Sequence, residues 1–266
     1  MAQCGLLNLA SCIPEKIFEY LAGILNAPIN PLLNFIRGML SEPINLNLFV
    51  GIWAIIIYVI SMFYAFLLIY TGINFMVSGY DVAKRENAKT WLRNILIMVI
   101  LVQASFLIYE LVIELSAIIT SATLTLMDNS IFLLNFDNVG DLVLNIVFIV
   151  VYLVTLLITS LVMIIRYDIV AIGIIFFPLA IFLYFIPPAR QYGLLILNFL
   201  AVCIFVTFID VIILIGFSKL VNVGILASMK ILVAIAGFLL MDAVMLFLMF
   251  FTIVKSGMQI YHRITG

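Results

Sequence analysis

The residues in this sequence best suited to chemistry are carboxylates set inside apolar runs. Asp210 and Asp242 each have more than ten largely apolar residues on at least one side and no basic residue within four positions. A charge at the centre of a membrane-spanning helix costs about 2.5 to 3.5 kcal/mol unless it is paired or hydrated. Both are therefore expected to face a protein interior or a wet path, although a place near a helix end, with the carboxyl reaching the interface or protonated, accounts for them equally well. Glu110 and Glu114 stand four apart, which puts both carboxylates on one helix face near the outer end of a span, where interfacial solvation also explains them. Arg166 and Asp168 are two apart and do not face each other on a helix, so an ion pair between them requires the chain to turn there. A different chemistry is offered by Lys84, Arg85, Lys89 and Arg93, a short basic cluster able to contact an acidic partner or the phosphates of a nucleic acid strand. The same cluster also sets membrane topology, its more ordinary role.

Enzymatic readings fail on the residues they require, and the chain is read as non-catalytic. The single histidine, His262, lies beyond the last apolar run, which excludes a histidine metal site or a serine–histidine dyad at membrane depth. Val77-Ser78-Gly79 is a fragment of a rhomboid-type serine motif, but Met76 stands where that motif needs glycine. Tyr167-Asp168 and Val139-Gly140-Asp141 share short strings with intramembrane aspartyl proteases in reversed order. No glycine-rich phosphate-binding pattern occurs, and no cofactor is expected. Three cysteines support at most one disulfide, Cys4–Cys12, which needs an oxidising compartment around the N-terminus; two unpaired thiols fit as well. The N-terminal region lacks the layout of a secretory signal, so no cleavage is expected.

The elements that hold these residues follow from composition. Of 266 residues, 67% are hydrophobic and 9% charged, whereas soluble domains run to about half and a quarter. Twenty-five charged side chains cannot clothe a water-exposed surface of this size. With a mean hydropathy of +1.37, the chain must use the bilayer as solvent. A net charge of −1 offers no general field for nucleic acid or acidic lipid, so any basic function is local.

The expected fold is all-α: a polytopic transmembrane helical bundle of about six spans with N-terminal amphipathic interfacial helices. Residues 1–46 form the extracytoplasmic or interfacial segment, with two short helices over 13–42 broken at Pro28 and Pro31. Residues 47–127 form a transmembrane hairpin, about Leu48 to Met76 and Ile95 to Leu126, around a basic cytoplasmic loop at 77–94. An outside loop at 128–141 precedes a bundle over 142–254 and a short tail at 255–266. Within that bundle the spans run about Leu142–Ile165, Ile169–Ile186, Gly193–Phe217 and Ile231–Val254, with a turn at Arg166-Tyr167-Asp168. Pro178 lies in the middle of the fourth span and Pro187-Pro188 end it, predicting a broken helix held by its neighbours. The basic loop is placed in the cytoplasm and the N-terminus outside by the positive-inside rule. Six spans leave seven basic residues inside and five outside, while a re-entrant 166–188 segment makes the count eight to four.

Two segments together resemble the TrbL-type polytopic channel family of type IV secretion and conjugation machines, including the archaeal CedA-like DNA-import variants. One is Gly72-Ile73-Asn74-Phe75-Met76-Val77-Ser78-Gly79 followed by Lys84-Arg85-Glu86-Asn87-Ala88-Lys89 and a second long span. The other is Arg166-Tyr167, then Phe177-Pro178-Leu179-Ala180, then Pro187-Pro188-Ala189-Arg190-Gln191-Tyr192-Gly193. The resemblance covers roughly residues 48–217 and lacks the family's large extracytoplasmic domain and long polar tail. It implies a membrane subunit in the route for DNA or protein through the cell membrane, oligomeric, working with a secretion-type ATPase and pilin-like subunits, with single-stranded DNA in transit. The competing class is a small-molecule or ion secondary transporter using the intramembrane carboxylates, for which the internal repeat usual in that class is not found. A purely structural scaffold is the third reading.

Overall fold

The computed structural model describes residues 9–77, 82–127, 142–221 and 229–265. Among the described residues there are seven α-helices and no strand: α1 (Leu9–Ser41), α2 (Val50–Val77), α3 (Val82–Gln103), α4 (Ser105–Leu124), α5 (Leu142–Phe185), α6 (Arg190–Leu220) and α7 (Lys230–Thr265). Among the described residues, five stretches are long and apolar enough to cross a membrane: Leu46–Val77, Ser105–Leu124, Val147–Phe185, Pro187–Leu220 and Lys230–Met258. The chain is a multi-pass membrane protein. Helices are what such a sequence must form, because in hydrocarbon every backbone N–H and C=O has to find its partner within its own segment.

Five local expectations differ from the structure. The N-terminal region is a single helix rather than two. Pro28 and Pro31 leave the carbonyls of Ile24 and Ala27 without their usual donors, but all four residues are exposed, and Ile29, Ile36 and Leu40 are buried along one stripe that keeps the helix in register. The basic segment is not a loop. Residues 82–94 form the first turns of α3, as expected of a run rich in Ala, Lys, Arg and Glu, and only 78–81 fall outside the described residues.

The turn at Arg166-Tyr167-Asp168 does not form, so α5 is one helix of 44 residues where two spans were expected. At 1.5 Å per residue it is about 66 Å long, roughly twice a bilayer's hydrocarbon core. Pro178 does not break it: the residue is buried, and packing around it replaces the lost backbone bond as a constraint. The break comes instead at Ile186, where Pro187–Ala189 makes a single 3-10 turn into α6. Finally, the second expected span is divided between α3 and α4 at Ala104. The helical ladder persists across that residue, with Ala104 N donating to Ile100 O at 2.9 Å and Ile108 N to Ala104 O at 3.0 Å.

The chain divides into two compact units. One comprises 1–42, 119–165 and 208–245, the other 43–118, 166–207 and 246–266, so α4, α5, α6 and α7 each contribute residues to both. The second unit has a core of Ile57, Ile60 and Tyr64 from α2, Ile95, Met98 and Val102 from α3, and Ile181 and Phe182 from α5. Trp53 Nε1 donates to Ser105 Oγ at 3.0 Å, and Tyr70 and Trp91 meet edge to face at 6.1 Å. The apolar remainder of α2 faces outward: only 11% of its spanning window is buried, against 44% for the spans of α5, α6 and α7. This makes α2 the least buried of the long apolar helices. In the first unit, the Tyr152 and Phe238 rings pack at a tilt, 6.1 Å apart, between α5 and α7, and Gly237 lies under the Phe217 ring.

Gly193 closes the α5–α6 hairpin. A Cβ there would strike the backbone of Tyr184 and the carbonyl oxygen of Ala180, so the two helices touch main chain to main chain. At Gly216 on the same helix nothing lies within 4 Å. Two substitutions of one chemistry should therefore have opposite signs. Gly216→Ala is expected to stabilise by about 0.5 to 1 kcal/mol through helix propensity, and Gly193→Ala to destabilise by about 1 to 3 kcal/mol through overpacking. Thermal unfolding in a mild detergent, one variant beside the other, checks both signs.

Candidate functional site: intramembrane polar contacts

In an apolar helix a Ser or Thr hydroxyl most simply donates to the carbonyl four residues back on its own helix. Thr155 does so to Val151 O at 2.9 Å and Ser160 to Leu156 O at 2.8 Å. Thr159 lies between them on α5 and does not. Its Oγ1 donates instead to Asp242 Oδ2 on α7, at 2.8 Å. Thr159 is 0% and Asp242 5% exposed, and fully buried Met241 and Met245 flank the carboxyl along its own helix. Asp242 Oδ1 is buried with no hydrogen-bond partner. The pair is thus a buried carboxyl with one oxygen engaged and one open, able to hold a proton or to accept a further hydrogen bond. Asp210 on α6 belongs to the same unit and is 0% exposed.

A second polar cluster lies in the other unit and is organised by Tyr109 of α4. Arg166, Val170, Gly173 and Phe177 recur at helical spacing along α5. Tyr109 Oη donates to Val170 O at 2.7 Å, and its ring packs on Phe177 at 5.1 Å. A Cβ on Gly173 would run into that hydroxyl and into Leu200, so glycine is what admits the tyrosine. Arg166, 5% exposed, and the buried Cys203 of α6 belong to the same unit as Tyr109. Ser116 of α4 donates to Ile204 O at 2.9 Å, a second tie across helices.

The other residues singled out from sequence are dispersed. Asp168 is exposed while Arg166 is buried, so continuing α5 through this point separates the two instead of pairing them. Glu110 is half-buried and Glu114 exposed on α4. Lys84, Arg85, Lys89 and Arg93 are all exposed on α3. Lys89 Nζ lies 3.9 Å from Glu86, and the Arg85 guanidinium 6.0 Å from the Phe75 ring. Of the prolines, Pro178 is buried within α5, and Pro187 and Pro188 are exposed at the 3-10 turn. Arg190 covers the Tyr184 ring at 4.9 Å. The Cys4–Cys12 pairing lies outside the described residues.

Thr159, Tyr109 and Ser116 were not singled out from sequence. A hydroxyl in an apolar run is the only signal they carry, and Thr155 and Ser160 carry the same one. No protein-family model, curated protein or solved structure matches this chain.

Removing the Thr159 hydroxyl with its shape kept leaves Asp242 without a partner. Thr159→Val is expected to lower stability by about 1 to 3 kcal/mol, whereas Thr159→Val combined with Asp242→Leu should recover much of that loss, since removing both partners leaves no orphan. A double-mutant cycle of thermal midpoints in detergent, with Asp242→Leu alone as the fourth corner, checks this; losses in the two single variants that simply add in the double would show that the hydrogen bond is energetically idle.

Proposed function

We propose that this chain is a non-catalytic, membrane-embedded subunit of a type IV secretion-like translocation machine, forming or scaffolding the path of DNA or protein through the cell membrane. The observation that carries the reading is the α2–α3 hairpin. Its apolar arm faces outward, its core is built from apolar side chains, and its polar end presents Lys84, Arg85, Lys89 and Arg93 together on the exposed first turns of a helix. That is where the resemblance to TrbL-type channels lies, and a basic helix end just outside the bilayer suits contact with an acidic ATPase surface or with phosphates in transit. The Pro187–Arg190 turn, with Arg190 seated on Tyr184, is the second element in common.

The five long helices also bear on orientation. With alternate crossings and the N-terminus outside, Lys84, Arg85, Lys89, Arg93, Arg190, Lys255 and Arg263 lie inside. Lys16, Arg37, Lys219 and Lys230 lie outside, and Arg166 is at membrane depth. This is a clearer positive-inside bias than six spans allow.

A secondary transporter is the second reading, favoured by Asp242 and its open oxygen. The two diverge experimentally. Affinity purification of the tagged protein in mild detergent, followed by mass spectrometry, is expected to recover a secretion-type ATPase or pilin-like proteins, and substituting alanine for Lys84, Arg85 and Lys89 together should reduce that recovery at least several-fold. A protein recovered alone, with proton-coupled uptake into vesicles abolished by Asp242→Asn, would replace the first reading with the second.

A further inference from the structure

A cleft of about 180 Å³ opens within the first unit, outside every site discussed above. One wall is α1, which supplies Asn30, Asn34 and Arg37; the facing wall is apolar and includes Leu124, Leu214 and Phe238. The three polar residues stand at i, i+4 and i+7, a single stripe about 10 Å long. The buried residues Ile29, Ile36 and Leu40 lie along the adjoining stripe, which seats α1 on the unit and leaves the polar stripe at the mouth of the cleft. Asn30 and Asn34 are exposed and Arg37 is half-buried. No ion pair ties Arg37 to a carboxylate among the described residues.

The depth of the cleft is set by the spans that line it. Leu124 is the last residue of its span, while Leu214 and Phe238 each lie about two turns from the ends of theirs, at Leu220 and Lys230. Leu124 and Leu214 lie toward the C-terminal ends of their spans and Phe238 toward the N-terminal end of the next, so alternate crossings bring all three toward one side of the membrane, where hydrocarbon gives way to headgroups. Helix α1 is the most strongly amphipathic of the seven and is not among the spanning helices, as suits one lying in the interface. A guanidinium offers a planar set of donors matched to a phosphate, and two amides add neutral donors and acceptors beside it. The opposite wall offers only hydrocarbon. A ligand satisfying both walls at this depth is amphiphilic, with one phosphate ester at its polar end.

We infer that this cleft is a phospholipid site, in which Arg37, Asn34 and Asn30 hold the headgroup phosphate and Leu124, Leu214 and Phe238 receive the first part of an acyl chain. The volume is far below that of a whole lipid, so most of each chain stays in the bilayer. The occupant ties α1, which does not span, to the ends of three helices that do. The inference holds under either function proposed above.

Native mass spectrometry of the protein in mild detergent, titrated with phosphatidylglycerol, tests it. One tightly held lipid per chain is expected, weakened about tenfold in Arg37→Gln, the loss of one charge-assisted hydrogen-bonding group, and by less in Arg37→Lys. Lys219→Gln, an exposed cation on α6 outside the cleft, should leave binding unchanged. Asn34→Leu should weaken binding several-fold and serves as the independent variant if Arg37→Gln does not fold. Equal affinity in wild type and Arg37→Gln, or diacylglycerol bound as tightly as phosphatidylglycerol, would overturn the inference. Inorganic phosphate bound as tightly as the lipid would assign the cleft to the free anion and overturn it too.

Discussion

The absence of water at membrane depth governs this structure. A backbone group or hydroxyl that fails to find a partner there loses a bond that nothing else replaces. Helices answer the backbone requirement, and most hydroxyls answer theirs by folding back onto their own helix, as Ser61, Thr71, Thr123, Thr155, Ser160 and Thr252 do at four residues' distance. Against that default, a few donors that reach another helix stand out: Trp53 to Ser105, Thr159 to Asp242, Tyr109 to Val170 and Ser116 to Ile204. Each spends its one donor on tertiary structure. They are the places where helix register is chosen by a specific bond rather than by dispersion and shape, which apolar side chains supply almost indiscriminately in lipid.

The same constraint explains why proline marks these helices so unevenly. At Pro187 and Pro188 the chain turns, because two consecutive residues without N–H groups coincide with the end of the apolar run and with exposure. At Pro178 it does not turn, because the residue is buried and the helix continues apolar beyond it. In α1 the prolines lie on the exposed side while the opposite stripe is packed. The residue alone does not decide; what surrounds the freed carbonyl does. A long unbroken α5 follows, and with it the separation of Arg166 from Asp168, which a turn would have brought together.

Polar function in such a chain is sparse and consequently conspicuous. The carboxyl of Asp242, the guanidinium of Arg166, the basic opening turns of α3 and the amide–arginine stripe of α1 are four chemically different features, each on its own element. A translocation subunit uses the third to meet its partners, and a transporter would need the first to move. That the chain has both is a consequence of its composition: with 9% charged residues, each that remains inside or beside the membrane has a specific place.

Membrane residence, an all-helical fold and the long apolar runs that form the spans were legible in the sequence, because each follows from local composition and from the energy of moving residues between water and hydrocarbon. The seam at 166–168 and the two proline-bearing helices were not, since they depend on neighbours distant in the chain. The same limit applied to the choice of Thr159 over Thr155 and Ser160, and to the meeting of Asn30, Asn34 and Arg37 with Leu214 and Phe238. Those were decided only by tertiary packing, in which identical residue types acquire different partners according to which face of a helix another helix covers.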